Sequence, residues 1–197
     1  MLKLLTDREV KARTRNLKHR KPDLTIFTDA SCMHRAKAAG WGGWSKGDGR
    51  STVIQSGKAP YHKNTALIEL YAIMSMVEAL YETEYLMESD KAMIIQSDSV
   101  TALGYLLNSL QYTAPTRLPD SALWTPKKAP DAAVPILHRL HEVLQNFDVV
   151  YLRHVRAHRE DGNTRHGVNN LCDTKAKECS RMSPMPVPDW LSQVWAK

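Results

Sequence analysis

The chain has 197 residues, 43% hydrophobic and 24% charged, with a formal net charge of +6, which describes one ordinary-sized domain able to bury a full core. Its apolar runs fall short of the roughly 18 residues that span a bilayer, and no signal-peptide core follows the start, so the expectation is a cytoplasmic protein with no membrane partner. Three cysteines, Cys32, Cys172 and Cys179, with no Cys-x-x-Cys spacing, argue against a disulfide framework or a zinc ribbon.

Residues 1–22 hold eight Lys or Arg against Asp7 and Glu9, leaving 19 basic and 19 acidic residues in the other 175. This basic arm suits a polyanion. It reads equally well as a helix whose Leu2, Leu4, Leu5, Val10 and Leu17 pack on the body, and it has no aromatic residue on which a base could stack. Asp7 and Glu9 weigh against a mitochondrial presequence.

Leu24-Thr25-Ile26-Phe27-Thr28-Asp29 reads as a buried strand with a carboxylate at its exit. A buried charge there requires either a cation or a hydrogen-bonding turn. Ala38 to Ser45 predicts a second strand whose glycines allow backbone or ligand to come close, and Asp48-Gly49 signals a hairpin into a third strand at Ser51–Gln55. Ala66, Leu70, Ile73, Met74, Val77, Leu80 and Tyr81 recur at helical spacing, which predicts a helix over 66–81 with Glu69 in its first turn. A glutamate there is a candidate ligand or simply a partner for the helix dipole.

Ala92 to Asp98 repeats the opening pattern of an apolar strand ending on an aspartate, and a helix follows over 99–110. The Pro-rich stretch 111–131 contains Trp124, Lys127 and Lys128; next come a helix marked by Ile136, Leu137, Leu140, Val143 and Leu144 and a strand over 149–152. Residues 158–167 read as a polar loop and 169–182 as the last helix, with Asp173 in its early turns. The tail, rich in proline and then apolar around Trp190 and Trp195, either docks on the body or recruits a protein partner. The expected division is an arm (1–22), a domain (23–182) and a tail (183–197), built as an α/β fold with a mixed sheet and helices on its faces.

Asp29 and Asp98 each end a strand, and Glu69 and Asp173 are each expected near a helix start. Neighbouring strands lie about 4.8 Å apart, so pairing of the first and fourth would bring the two aspartates together. Like charges that close need cations, and Mg2+ suits a site of oxygen ligands completed by phosphate, with Mn2+ accepting the same ligands. Two such ions support in-line phosphodiester displacement, so the chemistry expected is that of a metal-dependent nuclease.

Thr28-Asp29-Ala30-Ser31, Glu69-Leu70, Ser97-Asp98-Ser99, Arg156-Ala157-His158 and Asn169-Asn170-Leu171-Cys172-Asp173 with Ala176 resemble type 1 ribonuclease H in order and spacing. The resemblance implies a five-stranded mixed sheet with strands one to three antiparallel, and Asp29, Glu69, Asp98 and Asp173 as catalytic ligands of two Mg2+ ions. It implies hydrolysis of the RNA strand of RNA–DNA hybrids to 3′-hydroxyl and 5′-phosphate ends, with His158 as a proton carrier. It also implies substrate contacts at Thr65, Asn169 and the connection carrying Trp124, Lys127 and Lys128. Ala66 and Val100 stand where many members carry amides, Ala157 replaces a usual glycine, and His166 is a second candidate for the loop histidine. Three rivals stand beside this reading: a nuclease of the same fold acting on structured or single-stranded DNA, a non-catalytic nucleic-acid- or partner-binding module, and one domain of a reverse-transcription machine whose polymerase is a separate or processed partner. Two other site readings are weaker: a zinc site at His154 and His158, which would share a face only on a helix, and a nucleophilic Cys172 with no paired base.

Overall fold

A computed structural model describes residues 22–110, 116–117, 127–155 and 164–195 of the chain. Strand β1 (Leu24–Met33) pairs antiparallel with β2 (Ala38–Gly47), and β2 in turn with β3 (Val53–Ala59). On the other side of β1 lies β4 (Ala92–Ser97), parallel to it; β5 (Thr116–Arg117) and β6 (Val149–His154) extend the sheet in the order β3-β2-β1-β4-β6-β5. The expected five-stranded mixed sheet is therefore present, with its first three strands antiparallel. The two-residue β5 is an addition at the far edge, inside the Pro-rich stretch.

Helices α1 (Thr65–Glu82), α2 (Val100–Leu110), α3 (Val134–Leu144), α4 (Thr164–Ser180) and α5 (Asp189–Trp195) complete the described elements. Side chains alternate across a strand, and β2 shows which helix covers which face. A Cβ at Gly40 or Gly42 would collide with the α4 backbone, at 2.5 Å from Ser180 N and 2.3 Å from Cys172 O, whereas one at Gly43 would meet Met76 of α1. The glycines thus admit helices on both faces at close range, and the close neighbour is backbone on one side and side chain on the other. Leu24, Ile26, Met93 and Ile95 join α1, α2 and α3 in the main core, while Phe27, Val155 and Cys172 form a smaller cluster under α4.

Four placements differ from expectation. Strand β1 runs on to Met33 because its antiparallel register with β2 continues, so Asp29 lies inside the strand, level with Gly42, and not at its exit. Strand β3 runs Val53–Ala59 because its register with β2 carries it past Gly57, which lies against the Trp41 indole. Helix α4 begins at Thr164, so 164–167 are helical and Asp173 lies in the third turn, well past the helix start. Glu69 lies just beyond the first turn of α1, which holds no acidic residue. That removes the dipole-partner reading, since the dipole's influence fades within the first turn.

The tail docks on the body. Leu191 is fully buried and Trp195 is 6% exposed. Trp195 Nε1 donates to Ala132 O at 2.9 Å, and the Arg139 guanidinium lies 4.6 Å from the centre of the Trp190 ring. No helix among the described residues is long and apolar enough to cross a membrane.

Candidate active site

The sheet register builds the site. Phe27 of β1 stands level with Gln96 of β4, and two residues further along each strand lie Asp29 and Asp98. Helix α1 is capped by Asn64, whose Oδ1 accepts from Ala66 N at 3.1 Å, and its next turn presents Glu69. One carboxylate oxygen from each of Asp29, Glu69 and Asp98 lies within 4.8 Å of the others.

This arrangement is electrostatically unfavourable without a cation. Asp29 is 4% exposed, and its Oδ1 accepts from Ala30 N at 2.7 Å. Burial first, then the charges of Asp98 and Asp173, push its pKa up from 3.8 to about 8. Glu69 is raised well above its ordinary value, chiefly by burial and then by Asp29 and Asp98. Its Oε2 is buried and has no hydrogen-bond partner among the described residues. A buried acceptor left in that state costs roughly 1–3 kcal/mol.

Asp173 adds negative charge felt by both Asp29 and Glu69, and its Oδ2 accepts from Lys177 Nζ at 2.7 Å. It stands beside the tight carboxylate group as its fourth, helix-borne neighbour. Donors that are all carboxylate oxygen, one of them orphaned, fit a hard divalent cation such as Mg2+ or Mn2+.

The other expected site residues are dispersed. Thr65 is exposed at the start of α1. Lys127 and Lys128 are exposed, and Lys127 donates from Nζ to Thr101 Oγ1 at 3.0 Å. That contact holds it against the first turn of α2, the helix that follows Asp98. Asn169 is 1% exposed, and its Oδ1, like Glu69 Oε2, is buried without a hydrogen-bond partner among the described residues. Trp124 and His158 lie outside the described residues.

Sequence offers His154 a role only at a zinc site; the structure gives it another. It ends β6 level with Ser97, and its Nε2 lies 3.1 Å from Asp98 O, so it braces the backbone that carries that aspartate. The signal was a histidine at a strand end, and it became legible only with the β4–β6 register. Cys172 is buried with its thiol pushed up to about 12 by burial, which suits a packed group and not a nucleophile.

Comparison with known structures finds the same fold in RNase H1 from the halophilic archaeon Halobacterium salinarum, with 16% identity and a TM-score of 0.52 over 79% of this chain and 96% of that one. LC11-RNase H1, isolated from compost and solved with an RNA/DNA hybrid, gives 14% identity and a TM-score of 0.54 over 80% and 96%. Prototype Foamy Virus protease-reverse transcriptase gives 14% identity and 0.58 over 83% of this chain, but only 22% of that larger protein. Comparison with curated proteins finds no match. The RNase H family model matches residues 21–181, and on that match, with a fold shared by RNase H1 structures, the chain belongs to the RNase H family.

Proposed function

We propose that this chain is a metal-dependent endoribonuclease that cuts the RNA strand of RNA–DNA hybrids, leaving 3′-hydroxyl and 5′-phosphate ends. The observation that carries the reading is the convergence of Asp29, which is buried, with the half-buried Glu69 and Asp98, together with an orphaned Glu69 Oε2. A module that only bound nucleic acid would gain nothing from this cluster, because uncompensated carboxylates repel a polyanion.

Asp29, Glu69, Asp98 and Asp173 would hold two Mg2+ ions, for which Mn2+ would substitute. When bound, such ions supply an activated attacking water and charge stabilisation for the departing oxygen. The protein's own part is to place the oxygens and manage their protons. Burial and the neighbouring carboxylates raise both Asp29 and Glu69, so the group holds protons above the usual carboxylate range and would give them up where it held a cation. His154 holds the Asp98 backbone in place. Lys127 and Lys128 would grip hybrid phosphates beside the start of α2, Thr65 would meet the hybrid at the start of α1, and Trp124 is assigned a further contact to the hybrid. Such phosphate contacts add affinity without reading sequence. His158 is assigned proton transfer at the leaving group, and the basic arm added attraction for the duplex. The setting is taken as cytoplasmic.

The test is cleavage of an end-labelled hybrid with and without Mg2+, comparing the native chain with Asp98→Asn and running duplex DNA and single strands alongside. Metal-dependent cutting confined to the RNA strand, and absent in the variant, is the expected result. Cutting of DNA instead would move the assignment to the rival nuclease, and no cutting in either metal would leave a binding module.

A further inference from the structure

We infer that the C-terminal segment is a clasp for the carboxylate site, with Trp195 and His62 as positioning residues for Glu69. The inference rests on the metal-site reading above and adds a part to it.

Glu69 depends on a short lead-in. Strand β3 ends at Ala59 and α1 starts at Thr65, so residues 60–64 set where the helix begins and thus where Glu69 sits one turn later. The C-terminal segment grips that lead-in and the turn beyond it. Met185 forms a parallel bridge with Pro60. The Trp195 ring centre lies 4.9 Å from that of His62 and 6.4 Å from that of Tyr71, so a single indole touches rings on both sides of Glu69 in the chain. Trp190 stacks parallel to Tyr71, with ring centres 6.4 Å apart and planes within 9°.

His62 passes this contact to the helix. Its Nδ1 accepts from Asn64 N at 2.9 Å, and the Asn64 side chain in turn caps α1 through Ala66 N. Accepting at Nδ1 requires the proton on Nε2, and burial favours that neutral form by lowering the imidazole's pKa. The chain of contacts therefore runs from indole to imidazole, to cap, to helix start, to Glu69.

The other end of the clasp holds a second part of the site. Trp195 Nε1 donates to Ala132 O, in the 3-10 turn Asp131–Ala133 that closes the connection carrying Lys127 and Lys128. A segment that only filled core space would need neither contact. This one ties the helix bearing a carboxylate ligand to the strip bearing phosphate-binding lysines, on opposite sides of one tryptophan.

The experiment uses the full chain and Mn2+ as the probe. Its binding to native protein, Trp195→Ala, Trp195→Phe, His62→Ala and the Trp195→Ala/His62→Ala pair is titrated by calorimetry well below each variant's melting temperature. Cleavage of a hybrid under Mn2+ saturation is measured in parallel. Loss of an outer partner of a metal ligand costs 10- to 100-fold in affinity or activity, and the expected loss here is about tenfold for Trp195→Ala and for His62→Ala. Trp195→Phe should recover most of the Mn2+ affinity, and the pair should lose no more than either single change. KM for the hybrid should stay within about twofold in His62→Ala and rise in both Trp195 variants, which lose the donor to Ala132 O. If Trp195→Ala fails to fold, His62→Ala, at a partly exposed position, carries the test alone. Unchanged Mn2+ affinity in a folded variant overturns the clasp while leaving the metal site standing. A native chain that binds no Mn2+ overturns both.

Discussion

The stretch over which β1 pairs with β4 has aspartates flanking both of its ends, and the two ends treat their carboxylates in opposite ways. At the entry end, Asp23 Oδ2 accepts from Lys91 N at 2.8 Å and Ala92 N at 2.9 Å. Asp90 receives both arms of the Arg50 guanidinium, at 2.8 and 2.9 Å, plus Met87 N at 3.0 Å. Arg50 also lies 4.9 Å from the centre of the Tyr85 ring, and the absence of a Cβ at Gly47 makes room for its guanidinium. At the exit end three carboxylates converge, and Glu69 Oε2 has no partner among the described residues. The same sheet can neutralise a buried carboxylate with an arginine and backbone N–H groups, as its entry end shows. Convergence at the exit end is therefore the feature on which the proposed metal site rests.

Asp98→Asn breaks the exit end with almost no change in volume. Hybrid cleavage should fall to background in a gel assay, the largest effect expected of any single change. The same substitution removes one of the mutually repelling charges, so the metal-free protein should gain on the order of 1–2 kcal/mol, or about 2–8 °C in melting temperature. Loss of both activity and stability would mean that Asp98 is structural.

Asp90→Ala applies the converse test at the entry end. It leaves Arg50, whose side chain is 16% exposed, without its counter-charge. Breaking a buried pair from one side costs about 3–5 kcal/mol, visible as a drop in the urea midpoint. Cleavage per folded molecule should be unchanged, because Asp90 lies at the other end of the strands. A variant equally stable but catalytically impaired would erase the distinction between the ends.

Titration separates the two ends more finely. Asp29 has a folded pKa of about 8 against 3.8 for the free group, so its favourable contribution is complete below about pH 4 and is lost as pH rises through about 8. Glu69 is shifted in the same direction. The metal-free protein should therefore lose several degrees of melting temperature between pH 5 and 9. Mg2+ should return most of that loss at the alkaline end, where the carboxylates are free to bind it. Asp29→Asn should flatten the metal-free profile, and a profile unaltered by that change would show that the exit end carries no electrostatic strain.

The convergence of Asp29 and Asp98 is legible in the sequence because each follows an apolar run and strand pairing does the rest, although β1 continues past Asp29 to Met33. The approach of Glu69 follows from a helix with a clear apolar stripe. Asp173 lies further into its helix than the sequence suggests. Thr164, Arg165 and Gly167 are exposed, so no apolar periodicity announces the first turn of α4. The docking of Trp190 and Trp195 was left open because their partners, Tyr71, Arg139 and Ala132, lie far away in the chain. His154 belongs with these, since a strand register cannot be read from either strand alone.

The smallest effect expected concerns the basic arm, which enters the fold at Asp23, on the ion-paired end of the strands. Six residues of extended chain separate Asp23 from Asp29, about 20 Å at 3.3 Å per residue, so the arm joins the body at a distance from the carboxylates. Deleting residues 1–22 should leave the single-turnover rate at saturating hybrid within about twofold. Its effect belongs to binding: each phosphate the arm neutralises contributes roughly 0.9 to the slope of log affinity against log salt on a duplex. The truncated chain should bind hybrid more weakly at low salt, converge on the native chain at high salt, and show a slope shallower by at least one. An unchanged slope would show that the arm makes no phosphate contacts and would favour its packing on the body through Leu2, Leu4, Leu5, Val10 and Leu17. A slower chemical step with an unchanged slope would go further, by showing that the entry end communicates with the carboxylates after all.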